Sequence, residues 1–333
     1  MKRIIKFSLV TIATTLLALV AWIAITVMQP SLFAQPSSVK PTSVGNMPER
    51  LQRHITTIVN DFFPRDHTSI ARLNQTAAYI ESELKQYSDN VVFQPFEVQG
   101  KRYKNVIATF GPDTKDIIII GTHYDSYDTL PAADDNASGV AGLIELAVML
   151  KGAKLNQRVE LVAYTLEEPP YFRTPDMGSA VHARSVKAGG KRVSLMLSLE
   201  CIGYFSDAPN SQEFPIAALK AFYPTTGNFI ALVGHYNDGA LAKRVRETMK
   251  SATPLPVYSI NAPSIVTGID FSDHLNYWNE GFVGMMVTDT AFMRNKNYHT
   301  EHDTAEKLDY VRIAQVVQAV AKVVMTEANQ HAM

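Results

Sequence analysis

Three features of the sequence predict an α/β fold, a three-layer sandwich whose central, mostly parallel mixed sheet is flanked by helices. Short, almost wholly apolar runs such as "DIIIIGTHYD" (116–125) and "VSLMLSLECIG" (193–203) read as strands buried on both faces. Longer segments with apolar residues at helical spacing alternate with them, the pattern of strand–helix–strand units. The 333 residues are 46% hydrophobic and 19% charged, enough for one substantial core.

The chain begins differently. Lys2, Arg3 and Lys6 precede an uncharged apolar stretch, 7–28, and the next charge is Lys40. A helix of about 20 such residues crosses a hydrocarbon core. Ala34 in "SLFAQ" has Leu32 two residues before it, a poor match to a small-x-small cleavage site. Residues 1–29 are therefore predicted to be an uncleaved transmembrane signal anchor. With its basic flank in the cytoplasm, the rest is expected on the extracytoplasmic side, the periplasm in a Gram-negative cell, or secreted if the segment is cleaved. Residues 30–46, within "QPSLFAQPSSVKPTSVGN", are rich in Pro and Ser and read as a linker, and 47–333 as one domain without internal repeats.

In that domain, 47–62 and 67–87 have helical spacing, and "VVFQPFEV" and "KNVIATF" read as a hairpin around "QGKRY". "DIIIIGTHYD" follows as a buried strand and "SGVAGLIELAVMLKG" as a helix. "RVELVAYTLEE", "VSLMLSLECIG", "NFIALVGH" and "GFVGMMVTDT" are further strands, and "TAEKLDYVRIAQVVQAVAKVVMTEAN" is a closing helix. Lys and Arg number 31 against 32 Asp and Glu, and no basic excess argues for nucleic acid. The one cysteine, Cys201, excludes an internal disulfide and reads as a small buried thiol.

Acids and histidines recur at the ends of the strands, where ligands bind in sheets of this kind. "GTHYDSYDTLPAADDNASG" (121–139) brings His123 and Asp125, then Asp134 and Asp135; "LEE" ends in Glu167 and Glu168; "SLECIGY" holds Glu200; "NYHTEHDT" holds Tyr298, His299 and Asp303. Four such groups at one sheet edge would repel strongly unless a cation sat among them. His123 and Asp125, two apart on an extended chain, face the same side, so Asp125 can support a metal-bound imidazole from behind. Adjacent Glu167 and Glu168 diverge, so that one can bind metal while the other acts as a general base. Asp303 with Glu306 reads as a helix N-cap pair, and "DDNASG" alone would read as an N-cap signal. His54, His67, His182, His235, His302 and His331 lack clustered partners and read as surface or packing residues.

The set "GTHYD", "ADDNASG", "LEE", "SLECIGY" and "YHTEHDT", in this order over about 100–310, resembles the dinuclear zinc exopeptidases of metallopeptidase family 28 in clan MH. The resemblance implies the zinc-exopeptidase (phosphorylase/hydrolase-like) form of the sandwich. It implies Zn2+, two ions per chain or one, with His123, Asp135 and Glu200 around one, and Asp135, Glu168 and His299 around the other. It gives Glu167 as general base and Tyr298 as hydrogen-bond donor to the oxyanion, and Asp273 and His274 in "DFSDHLNYW" as cleft-lining candidates, a structural hydrogen-bonding role being the alternative. Glu200 departs from the family's usual Asp, one methylene longer. The implied activity is that of a membrane-anchored exopeptidase, an aminopeptidase by analogy, acting on peptides. A glutaminyl cyclase-like enzyme with one zinc and a non-catalytic ectodomain are the alternatives.

Overall fold

The computed structural model describes residues 2–27, 39 and 43–330, and within the first helix the side chains at 10–22. Apart from 39 and 43–46, the linker read at 30–46 lies outside the described residues. Helix α1 (Lys2–Val27) covers the segment read as an anchor, and its described apolar side chains, Leu16, Leu17 and Trp22 among them, are exposed. Among the described residues, no helix is long and apolar enough to cross a membrane.

The domain is a mixed eight-stranded sheet with helices on both faces. Helices α2 (Met47–Asp61) and α3 (Ile70–Leu84) precede a hairpin of β1 (Asn90–Val98) and β2 (Lys101–Phe110). Then follow β3 (Asp116–His123), α4 (Gly139–Leu150), β4 (Arg158–Tyr164), α5 (Gly178–Ala188) and β5 (Arg192–Glu200). The chain continues through β6 (Ile230–His235), α6 (Gly239–Lys250), β7 (Val257–Ala262), α7 (His274–Asn279), β8 (Met285–Thr288) and α8 (Tyr310–Glu327). Strand order is β1-β2-β4-β3-β5-β8-β6-β7.

Four central strands, β4, β3, β5 and β8, run parallel, so their carboxyl ends share one edge. The β1/β2 hairpin joins them antiparallel through β2, and the parallel pair β6/β7 joins antiparallel through β6. The run of isoleucines in β3 explains the layering. Ile118 and Ile120 pack with residues of α2, α3, α4, α6 and α8, while Ile117 and Ile119 face Val186 of α5 and Tyr277 of α7. All four are fully buried; each contributes on the order of 1.5–3 kcal/mol of burial, an upper estimate against an extended chain. Helix α4, apolar on nearly every side, lies between sheet and α8, which is why its sequence lacks a polar stripe.

The sequence missed α5, α6, α7 and β7. Helices α5 and α6 interleave apolar with polar residues, and polar groups such as His182 and Arg246 are buried by tertiary partners. Strand β8 is only four residues long because the surrounding "GFVG" and "DT" serve as loop.

Candidate metal centre

The shared carboxyl edge is where the acids meet. His123 ends β3 fully buried; its Nδ1 lies 3.2 Å from the Asp125 carbonyl oxygen and 3.6 Å from the Asp125 carboxylate. Its Nε2 faces inward, 3.2 Å from Asp135 Oδ1 and 3.4 Å from Glu200 Oε2. Asp135 sits in the kinked segment Ala133–Ser138 that leads into α4, where its own backbone is not helical (φ −108°, ψ 86°). Its other oxygen, Oδ2, is 2.9 Å from His299 Nε2, which is also 3.2 Å from Glu168 Oε1. One carboxylate thus stands between two imidazoles.

Each position has a local cause. The Asp303 carboxylate accepts the backbone N–H groups of Asp134 (3.0 Å) and Asp135 (3.1 Å), which fixes the turn. Asn136 Oδ1 accepts from the backbone N–H of Gly139 and Cys201, tying that turn to the end of β5. The Asp125 carboxylate accepts the N–H of Glu167 and of Glu168, orienting the two glutamates beyond β4. Glu200 receives Ser272 Oγ at 2.8 Å and Asn136 Nδ2 at 3.3 Å. Its side chain brings the carboxylate to 3.4 Å from His123 Nε2 and into one group with Asp135.

The electrostatics call for positive charge. Burial pushes the Glu167 carboxyl well up, aided by Glu200 and Glu168 against the pull of His123. Burial likewise raises Glu168, to about 8. Burial also disfavours charge on Asp135, yet His123 and His299 hold its carboxyl far below the usual range. The imidazoles respond in turn. Against burial, the close carboxylates of Asp135 and Glu168 lift His299 to about 10, and Glu200 with Asp125 and Asp135 lifts His123. Protons on the two histidines stand in for the charge the acids require.

Metal fits the donor set better than protons do. Asp135 Oδ2, Glu168 Oε1 and His299 Nε2 lie close together, yet none is aligned for a hydrogen bond. Two groups of three ligand atoms, from His123, Asp135 and Glu200 and from Asp135, Glu168 and His299, each lie within 4.8 Å of one another. Imidazole and carboxylate together suit Zn2+. Glu167 stays outside both groups, its Oε2 4.0 Å from His123 Nε2.

The sequence profile of peptidase family M28 matches residues 105–324. The chain belongs to peptidase family M28. Over 96% of this M28 chain and 98% of its relative, it is 42% identical to the uncharacterized protein YfbL of Escherichia coli (strain K12). It is 26% identical to the probable aminopeptidase YDR415C of Saccharomyces cerevisiae, across 86% of the chain and 74% of the relative. Among solved structures, the zinc aminopeptidase BSAP of Bacillus subtilis has the same fold. It has a TM-score of 0.70 at 13% identity, covering 88% of this chain and 98% of the other.

The remaining sequence candidates divide. Tyr298 is stacked on the His299 ring, centroids 3.9 Å apart, and burial keeps its phenol protonated. Asp273 and His274 are both fully buried; His274 Nε2 lies 2.8 Å from the Ile269 carbonyl oxygen, the hydrogen-bonding alternative weighed for it. The N-cap reading of Asp303 gives way, since its carboxylate serves the 134–135 turn and Asp309 caps α8. Beside Glu200 and Tyr298 opens a cavity walled by Tyr223, Phe229, Tyr258, Phe271 and Phe292.

Several residues of this M28 site escaped the sequence. Ser272 and Arg65 carry no local signal; Arg65 is fully buried and its guanidinium binds the carbonyls of Tyr124, Ile58, Pro131 and Ala132. Tyr127 was findable: it continues the every-second-residue series from His123 and Asp125, and its ring lies flat against His299.

Proposed function

We propose that this M28 metallo-exopeptidase is a membrane-anchored zinc aminopeptidase with a two-metal site. His123, Asp135 and Glu200 would hold one ion, and Asp135, Glu168 and His299 the other. The observation that carries this reading is the Asp135 carboxylate, 3.2 Å from one histidine and 2.9 Å from the other. Zinc bound there supplies a Lewis acid that polarises the scissile carbonyl and lowers the pKa of a water.

The chain's own residues do the rest. Glu167, buried beside both groups and bound to neither, takes the proton of the attacking water and returns it to the leaving amine. Tyr298 donates its phenol proton as a hydrogen bond to the oxyanion of the tetrahedral intermediate. Asp125 holds the backbone of Glu167 and Glu168 so that the two carboxylates keep different tasks.

The choice of a free N-terminus over a free C-terminus rests on charge and on relatives. The site gathers carboxylates, which attract an ammonium group, and among the described residues that line the cavity there is no Arg or Lys to pair with a C-terminal carboxylate. The cavity itself suits an apolar side chain. The probable aminopeptidase among the relatives points the same way. The membrane anchor and the extracytoplasmic location rest on the basic flank and the uncharged stretch at 7–28.

The test uses the full chain in detergent: zinc per chain, and turnover of a panel of aminoacyl anilides, with Glu167→Gln alongside. About two zinc ions, with turnover lost in the variant while zinc is retained, is the expected result. One zinc ion with cyclisation of an N-terminal Gln peptide would overturn the aminopeptidase reading in favour of a cyclase. Alkaline-carbonate extraction of membranes tests the anchor, and release of the chain into the supernatant would refute it.

A further inference from the structure

The two histidines of the centre are held by different means. His123 is fully buried and backed at Nδ1 by Asp125. Metal-bound imidazoles are usually oriented in that way, through a hydrogen bond from the nitrogen that faces away from the metal. His299 is placed differently. Its side chain is 24% exposed, and the described ion-pair contacts of its ring, to Asp135 and Glu168, are both made through Nε2. It comes from a loop, with a left-handed backbone at φ 55° that a non-glycine residue adopts at a cost.

Two aromatic rings enclose it. Tyr127 lies on one side, with ring centroids 4.2 Å apart and planes 3° from parallel; Tyr298 lies at 3.9 Å and 12°. An imidazole stacked this closely cannot turn about its Cβ–Cγ bond without driving an edge into a phenol face. Its Nε2 therefore stays aimed at Asp135 Oδ2 and Glu168 Oε1. Tyr298 is the chain neighbour of His299 and moves with the same loop. Tyr127 belongs to the segment after β3, which carries Asp125 and follows directly on His123, the last residue of the strand. Asp303 and Asn295 tie the ends of that loop to residues 133–135, and Tyr127 holds the imidazole ring itself from the side of β3.

We propose that Tyr127 is the positioning residue for His299, and that its flat ring decides whether the centre keeps its second cation. The inference rests on the reading of His299 as a ligand. A stacked ring substitutes here for the hydrogen bond that orients His123, and it also favours the positive charge that an imidazole gains on binding metal. Loss of the ring frees the imidazole to rotate, which weakens the group of Asp135, Glu168 and His299 and leaves that of His123, Asp135 and Glu200 intact.

The experiment is equilibrium zinc binding to the full-length, chelator-stripped chain over a range of buffered free zinc, for wild type, Tyr127→Ala, Tyr127→Leu and Tyr127→Phe. The wild type should take up two ions. Tyr127→Ala and Tyr127→Leu should each bind one ion as before and the other about 10- to 100-fold more weakly, the range for loss of an orienting partner. Tyr127→Phe, which keeps the ring and lacks the hydroxyl, should bind as wild type. Because Leu preserves apolar bulk, a defect shared with Ala and rescued by Phe is specific to the flat ring. Two wild-type-like ions in the Ala and Leu variants would overturn this inference and leave the dinuclear reading standing. A Phe variant as weak as Ala would also overturn it, by assigning the effect to the hydroxyl. A wild type that never binds a second ion would overturn both.

Discussion

The carboxylate of Asp125 accepts the backbone N–H of Glu167 at 3.2 Å with one oxygen and that of Glu168 at 3.1 Å with the other. The same residue stands behind His123. A single side chain two positions beyond β3 therefore orients a candidate ligand on its own strand and both glutamates of the next.

Asp125→Asn should separate those tasks. The amide keeps one acceptor but turns an NH2 toward a backbone N–H, so one of the two glutamates loses its support. We expect a loss of about 10- to 100-fold in kcat/KM or in zinc affinity. Steady-state kinetics and zinc content of the same preparation check it, and unchanged values in both would refute the role.

Glu200 reaches the centre with help from Ser272 and Asn136. Glu200→Asp retracts the carboxylate by one methylene while Ser272 and Asn136 stay fixed. The expected outcome is weaker zinc binding in the group containing His123, by about 10-fold or more. Zinc bound against free zinc measures it, and tighter binding in the variant would show that these loops tolerate the shorter acid.

Arg65 is a buried cation that, among the described residues, has no carboxylate in direct contact; it binds four carbonyls from two segments. Burial lowers its pKa to about 10, so it stays charged at neutral pH. Arg65→Met should cost at least about 3 kcal/mol of stability, since it strands several buried acceptors that were bound to a charged donor. Urea unfolding checks this, and a loss below about 1 kcal/mol would contradict it.

His54 on α2 is buried, with Nδ1 2.6 Å from Tyr79 OH. Burial, with the charges of Arg53 and Arg50, lowers its pKa from an ordinary 6.5 to about 4. A depressed histidine is neutral when folded and protonated when unfolded between those values. Its contribution is thus fully present above about pH 6.5 and is lost as pH falls toward 4. Between pH 7 and 5, the wild type should lose about 2 kcal/mol more stability than His54→Gln. Parallel slopes in denaturant unfolding at the two pH values would refute this.

The sheet was legible because its strands announce themselves. Ile117, Ile118, Ile119 and Ile120 need apolar neighbours on two faces, and only a strand between two helical layers provides them. The candidate ligands were legible too, since His123, Glu168 and Glu200 sit at or just beyond strand ends that any parallel arrangement of those strands brings together. What holds these residues was hidden. Asp303 resembled a cap by its spacing to Glu306, yet it binds the backbone of Asp134 and Asp135, far away in the chain.

The sequence by itself determined which acids and histidines stand as candidate ligands and which strands bury, because both follow from residue type and local period. Only the tertiary structure decided that β6 enters antiparallel to β8, that Arg65 and Ser272 serve the centre, and that Tyr127 stacks on His299. Those contacts join residues distant in the chain, and no local spacing encodes a partner that folding alone brings near.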